Sequence, residues 1–249
     1  MIEISHINKT YNLGKSNQTI ALSNFSLSLQ KGDWLMVMGT NGSGKSTLLN
    51  SIAGTTKIDS GTIKINSVEV QNLPTHKRSL FVSRLFQNPV LGTAPELSII
   101  ENFRIASLHT RPKTFKLGIN NAFENKVKEI VSTLNLGLEN KLNQAMGSLS
   151  GGQRQALTLL MTTMDNVSVL LMDEPTAALD PKTAQLILNT TQKLVVEQNI
   201  TVVYITHQLK EVLNYGNKIL FMEEGKTKFY VDETEKKNFT IEQLSKWFA

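Results

Sequence analysis

The 249 residues carry a formal charge of +5, 40% apolar and 19% charged side chains, and no cysteine. That composition describes a folded globular chain with room for one large α/β domain, and it excludes disulfides and thiolate metal centres. No run nears the ~18 apolar residues of a membrane span and no apolar leader opens the chain, so neither secretion nor membrane spanning is expected.

Ile2, Ile4 and Ile7, then Phe25, Leu27 and Leu29, alternate with polar residues as half-buried strands do. Tyr11 lies between them, where its ring either stacks on a base or is an ordinary surface or core tyrosine. Lys31-Gly32-Asp33 turns the chain into Trp34-Leu35-Met36-Val37-Met38, an unbroken apolar run that fits a strand buried on both faces. The next stretch, Gly39-Thr40-Asn41-Gly42-Ser43-Gly44-Lys45-Ser46-Thr47, matches G-x-x-x-x-G-K-[ST], a loop whose backbone N–H groups wrap a nucleotide's phosphates. Chance writes that pattern in about one chain of this length in a hundred, with glycine at roughly 7%, so a ligand-free turn is a poor explanation. A helix is predicted from Ser46 to Ala53, ended by Gly54, which points the positive end of a helix dipole at the loop.

Asp59-Ser60-Gly61 predicts a turn and Thr62 to Ile65 a strand. Ser79 to Phe86 predicts another strand, which breaks at Gln87-Asn88-Pro89. Ile99, Ile100, Phe103 and Ala106 form one helical stripe, and Phe123, Val127, Ile130, Val131 and Leu134 a second; together they predict a helical insertion between two halves of an α/β core. From Phe103 to Lys128 the insertion sets Arg104, Arg111, Lys113, Lys116, Lys126 and Lys128 against the single acid Glu124. A solvated helix face explains that run, and the sharper reading is a surface near anionic lipid or an acidic partner. Stacking aromatics are not interleaved with these charges, so nucleic acid is not the expected partner.

In Leu149-Ser150-Gly151-Gly152-Gln153-Arg154-Gln155, Ser150 predicts a helix cap. The glycines bare the backbone at the head of a helix through Ala156, Leu159, Leu160 and Thr163. On spacing alone this is either a second anion site or a plain capped helix. Val167 to Met172 predicts a buried strand that delivers Asp173-Glu174-Pro175 to its C-terminal end, where ligands bind in α/β sheets. Alternation along a strand then sends the two carboxylates to opposite sides. Asp180-Pro181 opens a helix, and Ile200 to Ile205 predicts a buried strand ending at Thr206-His207. Strands from Lys218 to Met222 and Lys226 to Val231, joined by Glu224-Gly225, precede a short helix through Trp247.

In this order the segments resemble the ATP-binding subunit of ABC transporters over nearly the whole chain. The stretches Leu85 to Pro89, Gly92 to Ile99, Leu149 to Met161 and Thr176 to Thr183 are similar to the ATPases of bacterial binding-protein-dependent importers of the aromatic amino acid type. The resemblance implies a P-loop NTPase (ABC ATPase) core with an N-terminal antiparallel β subdomain and an α-helical insertion subdomain. It implies one domain over 1–249, with residues 1–87 and 150–249 as core and 88–149 as insertion.

The resemblance also implies roles. The Walker A residues Gly39, Thr40, Asn41, Gly42, Ser43, Gly44, Lys45, Ser46 and Thr47 would bind the phosphates of ATP, and Tyr11 would stack on adenine. Ser46, Gln87 and Asp173 would hold Mg²⁺, with Asp173 closing the Walker B strand. Glu174 would activate the attacking water, with Lys45, Gln87 and His207 as the other catalytic groups. Ala178-Leu179-Asp180 matches the D-loop. Ser150, Gly151, Gly152 and Gln153 of one subunit would close over ATP held by another, in a head-to-tail homodimer. The expected partners are integral-membrane permease subunits, docked near Gln87 to Phe103, and an extracytoplasmic solute-binding protein. The expected location is the cytoplasmic face of the cell membrane. The function implied is powering transport, by import of a small organic solute such as an amino acid; the alternative is an exporter or lipoprotein-release system. A chromosome-maintenance ATPase would need a long coiled coil between Gln87 and Leu149, and a P-loop kinase would lack Leu149 to Gln153.

Overall fold

Apolar alternation in the first third of the chain builds strands, and glycine and proline punctuate them. The computed structural model describes residues 1–108, 118–165 and 167–248. Its first elements are β1 (Ile2–Tyr11), β2 (Thr19–Leu29), β3 (Trp34–Gly39), α1 (Lys45–Ala53), β4 (Ser60–Ile65), β5 (Val68–Glu69), α2 (Thr75–Arg78) and β6 (Val82–Leu85). Then come α3 (Ile99–Ala106), α4 (Asn121–Ser132), α5 (Gly151–Thr162), β7 (Val169–Asp173), α6 (Pro181–Gln198) and β8 (Thr201–Ile205). The last elements are α7 (Leu209–Asn214), β9 (Lys218–Glu223), β10 (Lys226–Val231), α8 (Glu233–Lys236) and α9 (Ile241–Ser245).

Two sheets form. One is the antiparallel order β2-β1-β4-β5, in which Ile2 faces Leu29, Ile4 faces Leu27 and Ile7 faces Phe25, all six buried. The other runs β10-β9-β3-β8-β7-β6. In it β9, β3, β8 and β7 are parallel neighbours, and β10 closes one edge antiparallel. Every residue of β3 and of β8 is buried, as strands at the centre of a covered parallel sheet must be.

The chain gathers into two compact units. The first holds Met1–Arg84, Ser168–Glu174 and Val195–Ala249; the second holds Leu85–Val167 and Pro175–Leu194. The helical insertion expected over 88–149 lies in the second unit, which also takes in α5 and most of α6. Ile99, Ile100, Phe103, Phe123, Val127, Val131 and Leu134 are buried there as their spacing predicts, while Ala106 and Ile130 are half-buried. Of the basic run, half-buried Arg104 lies over the buried ring of Phe123, 5.7 Å from its centre, and exposed Lys128 pairs with Glu124 at 2.8 Å, one helical turn away. Arg111, Lys113 and Lys116 fall outside the described residues. No described helix is long and apolar enough to cross a membrane.

The strand expected over Ser79 to Phe86 is shorter, covering Val82–Leu85 alone, because Thr75–Arg78 winds into a helical turn capped by Ser79. Arg78 fixes that turn. It is buried, and its guanidinium donates to the carbonyls of Ser51, Ile52 and Val70, so it closes the C-terminal end of α1. The two tryptophans both serve the first unit. Trp34 meets Tyr204 edge-on at 6.2 Å, and Trp247 stacks on Phe229 at 4.8 Å.

Candidate nucleotide site

In the first unit, β3 ends in Gly39 and the chain reaches α1 through Gly44. Both glycines have positive φ, 146° and 99°, and a Cβ on either would lie 2.2 Å from a backbone carbonyl, that of Met222 or Ala21. No other residue fits there, so the loop is held tightly against β9 and β2. Within it Lys45 is buried and its ammonium donates to the carbonyls of Gly39 at 2.9 Å and Thr40 at 2.8 Å. Burial depresses the Lys45 pKa, while the nearby carboxylates of Glu174 and Asp173 pull it back up. The buried Ser43 hydroxyl has no hydrogen-bond partner among the described residues, an orphan that suits a loop built for a ligand's oxygens. Ser46 is exposed in the first turn of α1.

Asp173 is the last residue of β7. Glu174 leaves the strand in a left-handed conformation, φ 46°, with its N–H donating to the Ile205 carbonyl at 3.1 Å. Simple strand alternation therefore does not divide the two acids; the twist in the backbone at Glu174 does. Each finds its own partner. Asp173 Oδ2 accepts from Arg84 Nη2 at 2.9 Å, and Glu174 Oε1 lies 2.9 Å from His207 Nε2.

The backbone around His207 is pinned by a buried acid that the sequence reading missed. Glu211 Oε2 accepts from Tyr204 Oη at 2.9 Å and Thr206 Oγ1 at 2.6 Å, and that Thr206 oxygen accepts the Gln208 N–H at 3.1 Å. Tyr11 closes β1, 38% exposed, with the Lys9 ammonium 5.3 Å from its ring centre. The first unit thus gathers Tyr11, the loop from Gly39 to Thr47, Asp173, Glu174 and His207.

Gln87 and Ser150 to Gln153 belong to the second unit. Gln87 is exposed just beyond β6. Ser150 caps α5 through a capping box: its Oγ accepts the Gln153 N–H at 3.2 Å, and the Gln153 side chain accepts the Ser150 N–H at 3.2 Å. The two glycines differ in surroundings. A Cβ on Gly151 would meet nothing, whereas one on Gly152 would lie 2.6 Å from Thr183 Cγ2 on α6. Asp180 caps α6, accepting from Lys182 N and Thr183 N at 3.1 Å each. Gln155 is the second residue sequence reasoning missed. Fully buried, it donates to the carbonyls of Phe86 at 2.8 Å and Pro175 at 3.2 Å, joining α5 to the chain just before Gln87.

A glycine loop between a buried parallel strand and a helix, with two carboxylates at the end of a nearby strand, defines a P-loop nucleotide hydrolase. The ABC transporter family matches residues 22–177, and this chain belongs to it as an ATP-binding, ATP-hydrolysing subunit. It is 36% identical to a tyrosine transport ATP-binding protein of Clostridioides difficile, over all of this chain and 98% of that one. It is 33% identical to a spermidine/putrescine import ATP-binding protein of Thermotoga maritima, over 82% of this chain and 52% of that one. Among solved structures it is similar to a dimeric ATP-binding cassette in a post-hydrolysis state bound to ADP and Pi. There the TM-score is 0.80 and the identity 27%, covering 94% of this chain and 99% of the other.

Proposed function

We propose that the chain drives import of a small organic solute, an aromatic amino acid by preference, through a separate membrane permease fed by an extracytoplasmic binding protein. The support is the 36% identity, end to end, with a relative named for tyrosine transport. The chain itself would sit on the cytoplasmic face of the membrane, held there by the permease.

Two copies would close head to tail around two ATP molecules. Ser150 suits that role, because its oxygen accepts the Gln153 N–H at 3.2 Å while its own proton stays available to a phosphate. Lys45 would exchange the Gly39 and Thr40 carbonyls for the β- and γ-phosphates. Tyr11 would stack on the base, and the N–H groups from Gly39 to Thr47 would cradle the phosphates. Glu174 would take a proton from the attacking water, and His207, beside it, would steady both the acid and the γ-phosphate.

Ser46 and Asp173 of the first unit would hold Mg²⁺; a hydroxyl and a carboxylate are hard oxygen donors of the kind that this ion takes. Bound there, Mg²⁺ neutralises phosphate charge.

Uptake of labelled tyrosine, phenylalanine and tryptophan by host cells lacking the gene tests the import reading. Uptake should fall, return with the wild-type gene, and stay low with Glu174→Gln. Normal uptake together with a defect in efflux or lipoprotein release would overturn it.

A further inference from the structure

Arg84, in β6, reaches two parts of the nucleotide site with one rigid group. Nη1 donates to Asn50 Oδ1 on α1 at 2.6 Å, and Nη2 to Asp173 Oδ2 at the end of β7 at 2.9 Å. Only 17% of the arginine side chain and 21% of the aspartate side chain are exposed. A guanidinium is a planar fork, so engaging two of its nitrogens on separate elements fixes the plane of the whole group. Asn50 lies on the helix that follows the phosphate loop, one turn beyond Ser46. An ion pair serving stability alone has no need of that second anchor.

We propose that Arg84 is a positioning residue for the metal-binding carboxylate: by holding Asp173 Oδ2 from an anchor on α1, it turns Oδ1 toward the metal. This rests on Asp173 being a Mg²⁺ ligand, as proposed above. The sign of the effect separates positioning from plain electrostatics. A guanidinium beside a metal ligand repels the metal, so if charge alone mattered, removing Arg84 would tighten Mg²⁺ binding. If the arginine orients the carboxylate, removing it loosens binding. Partners of metal ligands typically contribute about 10–100-fold in metal affinity.

The test uses the full chain and a ribose-labelled fluorescent ATP, titrated first in EDTA and then with Mg²⁺ at fixed nucleotide. Circular dichroism checks that each variant is folded. Arg84→Met should leave affinity in EDTA within about twofold and raise half-saturating Mg²⁺ about tenfold, at the lower end of that range. Arg84→Lys and Asn50→Ala should raise it less, and Asp173→Asn at least as much as Arg84→Met. Half-saturating Mg²⁺ unchanged or lowered in Arg84→Met, with Asp173→Asn raised, overturns the positioning role alone. An unchanged value in Asp173→Asn overturns the metal assignment and this inference with it. Should Arg84→Met fail to fold, Asn50→Ala decides: a rise supports the anchor and no change overturns it.

Discussion

His207 Nε2 lies 2.9 Å from Glu174 Oε1, and the acid reaches that ring from a backbone turned to φ 46°. A non-glycine residue held there costs about 1–2 kcal/mol. The bond from its N–H to the carbonyl of Ile205, the last residue of β8 before Thr206-His207, offsets part of that cost.

Glu174→Gln keeps the size of the side chain and a hydrogen-bonding partner for His207, but cannot take a proton from water. ATP hydrolysis should fall about 10²–10⁴-fold while ATP binding persists. A stable ATP-bound dimer should then appear on size exclusion. Hydrolysis within threefold of wild type would remove Glu174 from the base role.

Lys45→Ala deletes both carbonyl contacts and the only cation of the loop itself. ATP affinity measured by calorimetry should collapse. Affinity close to wild type would count against the phosphate-loop assignment of this lysine.

Gly151 and Gly152 should separate binding from packing. Gly152→Ala forces a Cβ against Thr183, whereas Gly151→Ala meets nothing in the chain. Gly152→Ala should lower thermal stability by roughly 1–3 kcal/mol, partly restored by Thr183→Ser, which removes the crowding methyl. Gly151→Ala should melt like wild type yet dimerise less with ATP. Equal melting of both variants would contradict this division.

Arg78 holds three carbonyls, including two at the C-terminal end of α1. Arg78→Met leaves buried acceptors unpaired and should cost on the order of 1–3 kcal/mol. Urea unfolding measures it, and a midpoint equal to wild type would show that the turn stands without it.

Lys236 gives the pH prediction. Burial pushes its pKa from 10.5 down to about 8, while its amine donates to the carbonyls of Tyr215 and Gly216. A neutral amine still has two N–H donors, so both contacts survive deprotonation. Below pH 8 both folded and unfolded chains hold the proton, and the penalty for the buried charge is present in full. Between pH 8 and 10.5 the unfolded chain binds more protons, so stability relative to Lys236→Met rises with pH, by about 3 kcal/mol in full. Urea midpoints compared across that interval test it; a flat difference would mean the amine is not desolvated.

The elements read correctly from sequence are those with local causes. Alternation marked β1 and β2 as half-buried strands, and the capping serine at position 150 marked the start of α5; that Ile2 faces Leu29 and Ile4 faces Leu27 was not in the pattern. Other features depend on residues far apart in the chain. Arg84 meets Asp173 only because β6 and β7 are neighbours in the sheet order. An arginine amid apolar Val82 and Leu85 was the available signal, since a half-buried guanidinium requires a partner. The Glu211 cluster is local in sequence, but it forms only because the turn after β8 brings Tyr204 and Thr206 onto one carboxylate, and spacing alone does not show that turn. The left-handed backbone at Glu174 breaks the alternation assumed for Asp173 and Glu174, and nothing in the residue type announces it.

With Trp34 at the root of β3 and Trp247 stacked near the last described residue, both indoles report from the sheet-bearing unit. Intrinsic emission is therefore a one-sided witness to denaturation: it follows that unit and is blind to α3, α4 and α5. A far-ultraviolet trace recorded beside it would reveal whether the helical unit melts at the same temperature.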